Sequence, residues 1–415
     1  MILPCRIHPS RRLTDSLPLA LLFAAFLLVA RNEAIGQYAT SSAPQTTGAT
    51  GGATVPLEIT AGVDIGYDDH VLGSKATTSS SGQSSLFARE SVVLSYDRPG
   101  ERSELHLLAV GRFDQFFDVG TDDKDVNVTL SLTHNFSTRL SFRADVYAVY
   151  QTEPNFQSNI GPENVRAPHF DMNDILSVTY HWFPRFAMVT SYTFRRIQYE
   201  SSSSSIGTSQ NRVDNTFGEE FRLSLTKRTD LIGEYRFEII DYETATNNSI
   251  THYALVGVDH HLTEHLRFDA RGGPSFRSLE NDGDMVNPYL EGRLDYTSSN
   301  HSLNWTTSYG YESPNAAGAT NRTTIRTGLN LTYDLTSRIH STAGFYYHHD
   351  ENEGGSAGTT PVGTQNSLEL SLGFRYTINK HFAMHVDYRH TMQSSQGSTQ
   401  GYSRNRYFAG VTYTY

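Results

Sequence analysis

The sequence predicts an all-β fold: a transmembrane antiparallel up-and-down β-barrel of about 18 strands, with 16 as the alternative count. Three observations predict it. Apolar residues recur at every second position through runs longer than the five or six residues of an ordinary strand. Short polar turns alternate with longer Ser/Gly/Asp-rich loops. The last residues, Phe408 to Tyr415, read as a strand with Ala409, Val411, Tyr413 and Tyr415 on one side and Gly410, Thr412 and Thr414 on the other.

Residues 1–36 read as a secretory signal. Arg6, Arg11 and Arg12 form a basic start, Leu17 to Ala30 is an apolar run, and Ala34-Ile35-Gly36 is a small-residue cleavage site. The apolar run is too short for a spanning helix, which needs about 20 residues. Cys5 is the single cysteine, so the exported chain is expected to lack thiols and disulfides. Residues 37–56 are rich in Ser, Thr, Gly and Ala without a period, and read as a flexible leader.

The barrel is expected over 57–415. Leu329, Leu331, Tyr333 and Leu335 oppose Asn330, Thr332 and Asp334. Leu368, Leu370, Leu372, Phe374 and Tyr376 oppose Glu369, Ser371, Gly373 and Arg375. Strands of about 9–11 residues suit a tilted path across a bilayer. Short turns are expected at 97–101, 135–138, 183–185, 227–230, 262–264, 298–300, 336–337 and 379–380. Long loops are expected at 68–84, 114–124, 151–173, 200–214, 243–248, 279–285, 312–320, 349–365 and 392–401. Eight turns and nine loops join eighteen strands, with both barrel ends on the short-turn, periplasmic side. The facing of 249–261 is ambiguous. Trp182, Phe183, Phe136, Phe382, Tyr346 and Tyr347 are expected in interfacial girdles.

The export signal, the long alternating strands and the ending Gly410, Tyr413, Tyr415 resemble bacterial outer-membrane porins of Gram-negative cells, and more narrowly the putative β-barrel porin type 2 family. That ending is similar to the C-terminal assembly signal of outer-membrane proteins. The resemblance implies a bacterial outer-membrane location, with lipid, lipopolysaccharide and the barrel-assembly machinery as partners; self-association into a homo-oligomer is compatible with it. It transfers no catalytic or binding residue.

The residues opposite the apolar face carry both signs of charge. Candidate pore-lining groups are Arg143, Asp145, Glu234, Arg236, Arg267, Asp269, Arg271, Glu291, Arg293, Arg375 and Arg389. Structural ion pairs between strands are the plainer reading, and a hydrated, selective wall is compatible with it. The expected function is a pore for passive diffusion of small polar solutes, since 16–18 strands leave an aqueous channel. By analogy with trimeric porins, the 151–173 loop, with Glu153, Glu163, Asp171 and Arg166, is a candidate constriction; an outward loop is the plainer alternative.

Other classes fit less well. Net charge falls from −11 to −13 without the signal, which holds four basic and two acidic residues; no nucleic-acid partner is expected. His348 and His349 split to opposite faces of a strand, and neither they nor His260, His261 and His265 accompany a recognisable nucleophile, so no enzyme and no cofactor are expected. Asp68-Asp69, Asp122-Asp123-Lys124-Asp125 and Asn281-Asp282-Gly283-Asp284 read as solvated loop tips rather than calcium loops. The main alternative is an export or adhesion barrel without an open pore.

Overall fold

A computed structural model describes residues 57–71, 84–120, 122–152, 168–200, 211–243, 247–280, 283–314, 319–354, 360–396 and 401–415. The signal and leader readings lie outside them.

Eighteen strands follow one another round a single sheet: β1 (Leu57–Asp68), β2 (Ser85–Arg98), β3 (Ser103–Phe116), β4 (Asp122–Asn135), β5 (Leu140–Gln151), β6 (His169–Phe183), β7 (Phe186–Tyr199), β8 (Arg212–Thr226), β9 (Thr229–Tyr242), β10 (Ser249–His261), β11 (Leu266–Leu279), β12 (Gly283–Thr297), β13 (His301–Glu312), β14 (Asn321–Asp334), β15 (Ile339–Gly354), β16 (Thr360–Thr377), β17 (Phe382–Gln396) and β18 (Tyr402–Thr414). Each pairs antiparallel with the next, and β1 pairs with β18 from Thr60↔Thr414 to Asp68↔Arg406. This closure leaves no unpaired edge, the condition for crossing hydrocarbon with strands.

Alternation decides which side faces out. Val63, Ile65, Val256, Val286, Phe374 and Val386 are exposed on the outer surface. Their neighbours in sequence point inward. On β10 the inward residues are Thr251, Tyr253, Leu255 and Asp259, while Ala254, Val256 and Val258 face out. Leu255 is 3% exposed, so an apolar side chain occupies the polar face there. That exchange is what blurred the alternation of 249–261.

Four of the short turns share one device. Ser137, Thr263, Thr336 and Asn379 each accept hydrogen bonds from the two backbone amides two and three residues further on. One side-chain oxygen thus replaces the ladder partners that the turn removes.

The strands are longer than expected at the other end. β16 has 18 residues, and β15 runs to Gly354. At about 3.3 Å per residue such strands rise beyond the apolar belt. The expected loops are correspondingly too long, and several readings change. Asp114, expected in a loop, closes β3 from inside. Asp123 and Asp125 are strand residues beside Arg406 and Arg112 rather than a solvated tip. Asp68 is fully buried against Arg404 and Arg406. Asn281 and Asp282 lie outside the described residues. Tyr346 is no girdle residue: it points inward and donates from its hydroxyl to Asn330. Trp182, Phe183, Phe136 and Phe382 are exposed near short turns.

Candidate functional site

The inward face is a continuous polar wall, and its charges are joined across strands. Arg236 on β9 reaches Glu291 on β12, with Nη2–Oε1 at 2.6 Å and Nη1–Oε2 at 3.0 Å, and also donates to Glu234 on its own strand. Arg271 on β11 reaches back to Glu220 on β8 and Glu234 on β9, both at 2.6 Å. The two arginines therefore cross β10 in opposite directions. Their long stems lie along the wall, and their forks take the carboxylates bidentately or in pairs. Tyr289 completes the group, its hydroxyl 2.6 Å from Glu291.

Smaller pairs continue the wall. Arg267 meets Asp259 at 2.5 Å, Arg293 meets Asp295 at 2.6 Å, and Arg143 meets Asp145 at 2.6 Å. Ser131 on β4 donates to the same Asp145. Arg389 approaches Glu369 at 3.9 Å. Arg375 lines a cavity of about 250 Å³ near the short-turn end, together with Asp64, Arg112, His301, His340 and His385. A second cavity of about 270 Å³ is lined by Asp269, Glu291, Arg293, Asn330 and His348. All eleven candidate pore-lining residues are thus on the inward face, mostly in ion pairs. Glu153, Glu163 and Arg166 lie outside the described residues; Asp171 follows His169 in the inward row of β6 and is fully buried beside it.

Water reaches the two halves of this wall unequally. Towards the short turns Arg143, Arg222, Arg267 and Arg293 remain partly exposed. Towards the long loops Asp68, His169, Asp171, Ser275, Asn321 and Asp350 are all 0% exposed. An open channel of water width would leave those walls accessible. The sequence reading missed this closure.

One apolar cluster stands inside the closed half. Val71, just after β1, packs with Phe87, Phe116 and Phe408. Arg89 lies 4.6 Å from the Phe408 ring centre, and Arg406 lies 4.9 Å from that of Phe87. Asp114 takes Arg89 at 2.6 Å, and Asp68 takes Arg406 at 3.0 Å. Three rings, two guanidinium groups and two carboxylates form a desolvated knot at the seam. Three phenylalanines at inward positions were its only sequence signal, and period-two reasoning treats such residues as lapses of pattern.

Aromatic side chains elsewhere lie flat along the wall. A Cβ added to Gly328 would sit 2.8 Å from Tyr346, and one added to Gly310 would sit 2.6 Å from Tyr289. Glycine on the adjoining strand makes the space these rings occupy.

At the terminus, Gly410 points inward, opposite Asp64. Tyr413 faces out, its ring 5.1 Å from Phe382. The Tyr415 amide donates to Ile59 O at 2.9 Å. Among the described residues no group of three or more His, Cys, Asp or Glu side chains is arranged to hold a metal ion.

No curated protein matches the chain. Among solved structures, the chain is similar to OpdK of Pseudomonas aeruginosa crystallised with vanillate, at 12% identity and TM-score 0.42, covering 86% of this chain and 98% of that one. It is similar to OccAB4 of Acinetobacter baumannii at 10% identity and TM-score 0.41, covering 88% and 99%. For the siderophore receptor PirA of Acinetobacter baumannii the values are 10% and 0.38, with 86% and 80% covered. These similarities transfer no solute. The model of the family described as "Putative beta-barrel porin 2" matches residues 57–415, the whole of the barrel. The chain is an outer-membrane β-barrel and belongs to that family.

Proposed function

We propose that the barrel is a passive pore for small polar solutes, with selectivity set by the inward charges. The observation that carries this reading is the inward wall itself. It is hydrophilic on nearly every strand, carries both signs of charge, and is wet on the periplasmic half. Arg143, Asp145, Glu234, Arg236, Arg267, Asp269, Arg271, Glu291, Arg293, Arg375 and Arg389 are the groups a passing solute would meet. Diffusion down a gradient needs no chemistry from them; ordered charge screens what enters. Gly410, Tyr413 and Tyr415 would serve recognition by the barrel-assembly machinery, and the outer ends of the strands would meet lipopolysaccharide.

The dry outer half favours a second reading, in which a partner opens the barrel for export or the barrel carries no flux at all. Planar-bilayer recording of the refolded protein separates the two. Ohmic steps with a defined reversal potential in a salt gradient are expected. A bilayer that stays silent at all voltages would overturn the free-diffusion reading and favour the partner-opened one.

A further inference from the structure

The outward face of the barrel is apolar on most strands, and the sector β6–β8 departs from this furthest. On β1 the outward residues are Leu57, Ile59, Ala61, Val63, Ile65 and Tyr67; on β16 they include Leu368, Leu370, Leu372, Phe374 and Tyr376. On β6, β7 and β8 the outward set instead includes Asp174, Thr190, Tyr192, Asn215 and Glu219. Their facing follows from alternation with exposed Leu176, Val178, Phe217 and Phe221. They are adjacent: Asp174 pairs with Phe194, which pairs with Asn215, and Thr190 pairs with Glu219.

These residues fall within the apolar belt. Glu219 stands four residues along β8 from Leu223, the register partner of the turn-side Phe186. Asp174 stands eight residues along β6 from the girdle residue Trp182. At a rise of about 3.3 Å per residue and a tilt near 40°, those heights are roughly 10 and 20 Å, in a belt about 25 Å tall. Lipid chains there offer no hydrogen bond to a carboxyl group.

The sector satisfies itself only in part. Thr190 Oγ1 donates to Glu219 Oε2, and Tyr192 donates to Asn215 Oδ1, each at 2.8 Å. Asp174 Oδ1 and Glu219 Oε1 are shielded by neighbouring atoms yet have no hydrogen-bond partner among the described residues. The Asn215 amide nitrogen donates to none of the described residues. Shielded as they are, Asp174 Oδ1 and Glu219 Oε1 are not the docking atoms; the Thr190–Glu219 bond is itself exposed, so Glu219 Oε2 and the Asn215 amide put an acceptor and a donor on one surface, the property an isologous contact requires. A third outward carboxylate, Glu90 on β2, pairs with Val63 and Phe113 and has no such donor opposite it.

We propose that the outward face of β6–β8 is a self-association surface on which a second copy of this chain docks within the bilayer. Asn215 of each copy supplies donors that the carboxyl groups of the other accept, with Phe194 and Phe217 packing between them.

The sequence makes the test clean, because Cys5 is its only cysteine. The full chain carrying Cys5→Ser receives either Phe194→Cys on the proposed face or Val63→Cys on the apolar face, and native outer membranes are treated with copper–phenanthroline. A disulfide-linked dimer is expected from Phe194→Cys and not from Val63→Cys. Adding Asp174→Leu and Asn215→Leu should lower dimer yield at Phe194→Cys at least ten-fold while the heat-modifiable folded band persists. Undiminished dimer in that variant, equal yields from the two faces, or capture of an unrelated protein at Phe194→Cys would each overturn the proposal. If the double variant does not fold, sedimentation of the unsubstituted protein in mild detergent decides, and a monomer refutes it.

Discussion

The carboxylate of Asp64 occupies the space where a side chain at Gly410 would be. The two are register partners across the β1–β18 seam, and a Cβ built on Gly410 would overlap Asp64 Oδ1. His385 of β17 lies beside it, with Nε2 2.9 Å from Oδ1. The glycine of the terminal pattern is thereby a packing requirement of the closing strands.

Gly410→Ala should therefore weaken closure by about 1–3 kcal/mol, the usual range for overpacking. The temperature at which the folded band converts to the unfolded one on gels is the measurement. Asp64→Ala in the same chain should restore only part of the loss, because the Val63 carbonyl oxygen would still stand 2.5 Å from the added Cβ. A Gly410→Ala protein as heat-resistant as the parent would show that the strands separate without cost.

Arg236→Ala should remove the direct donors to Glu291 and one partner of Glu234, leaving part-buried carboxylates short of hydrogen bonds. A loss on the order of 1–3 kcal/mol in barrel stability is expected. The wall also becomes more negative, so the reversal potential in a salt gradient should move toward cation preference. An unchanged or anion-shifted potential would place Arg236 away from the ion path.

Phe408→Ala should hollow the knot around Val71, with a stability cost of about 3–5 kcal/mol if the site does not collapse. It removes the ring against which Arg89 lies, so flux of a small neutral sugar into liposomes should rise. Liposome swelling equal to the parent's would locate the barrier elsewhere.

Deleting Tyr415 should reduce the amount of protein in the outer membrane far more than the conductance of what is assembled. The residue adds one backbone bond to Ile59 at the rim and nothing to the inward wall. Normal outer-membrane levels would mean that recognition does not depend on the last aromatic.

Much of this barrel was legible because lipid imposes a simple rule. Where one side of a strand meets hydrocarbon, as with Leu368 to Tyr376, alternation reports strand, facing and register together. Above the belt both sides are polar and the rule has nothing to act on. Asp114, Asp123 and Asp350 were read as loop residues or as strand ends for that reason. The candidate charges were found by the same alternation, yet their partners were not. Arg236 and Glu291 sit on strands three places apart, and no sequence periodicity encodes how far an arginine reaches along a wall. The dry outer half was invisible for a related cause, since Asn321 and Ser275 look no different whether water reaches them or not.

The seam is fastened unevenly along its length, and this gives the barrel a direction in which to come apart. At the long-loop end Asp68 grips Arg404 and Arg406, and Asp69 Oδ2 accepts from the Asn405 side chain at 2.7 Å. At the turn end the side chains contribute one hydroxyl contact, Thr60 to Thr414 at 2.8 Å, besides the backbone ladder. Elsewhere the wall resists parting, because Arg236 and Arg271 tie strands that are not neighbours. Mechanical or thermal unzipping should therefore start at the short-turn rim between first and last strand and travel toward the long loops, and closure run in reverse would fasten the long-loop clasp first.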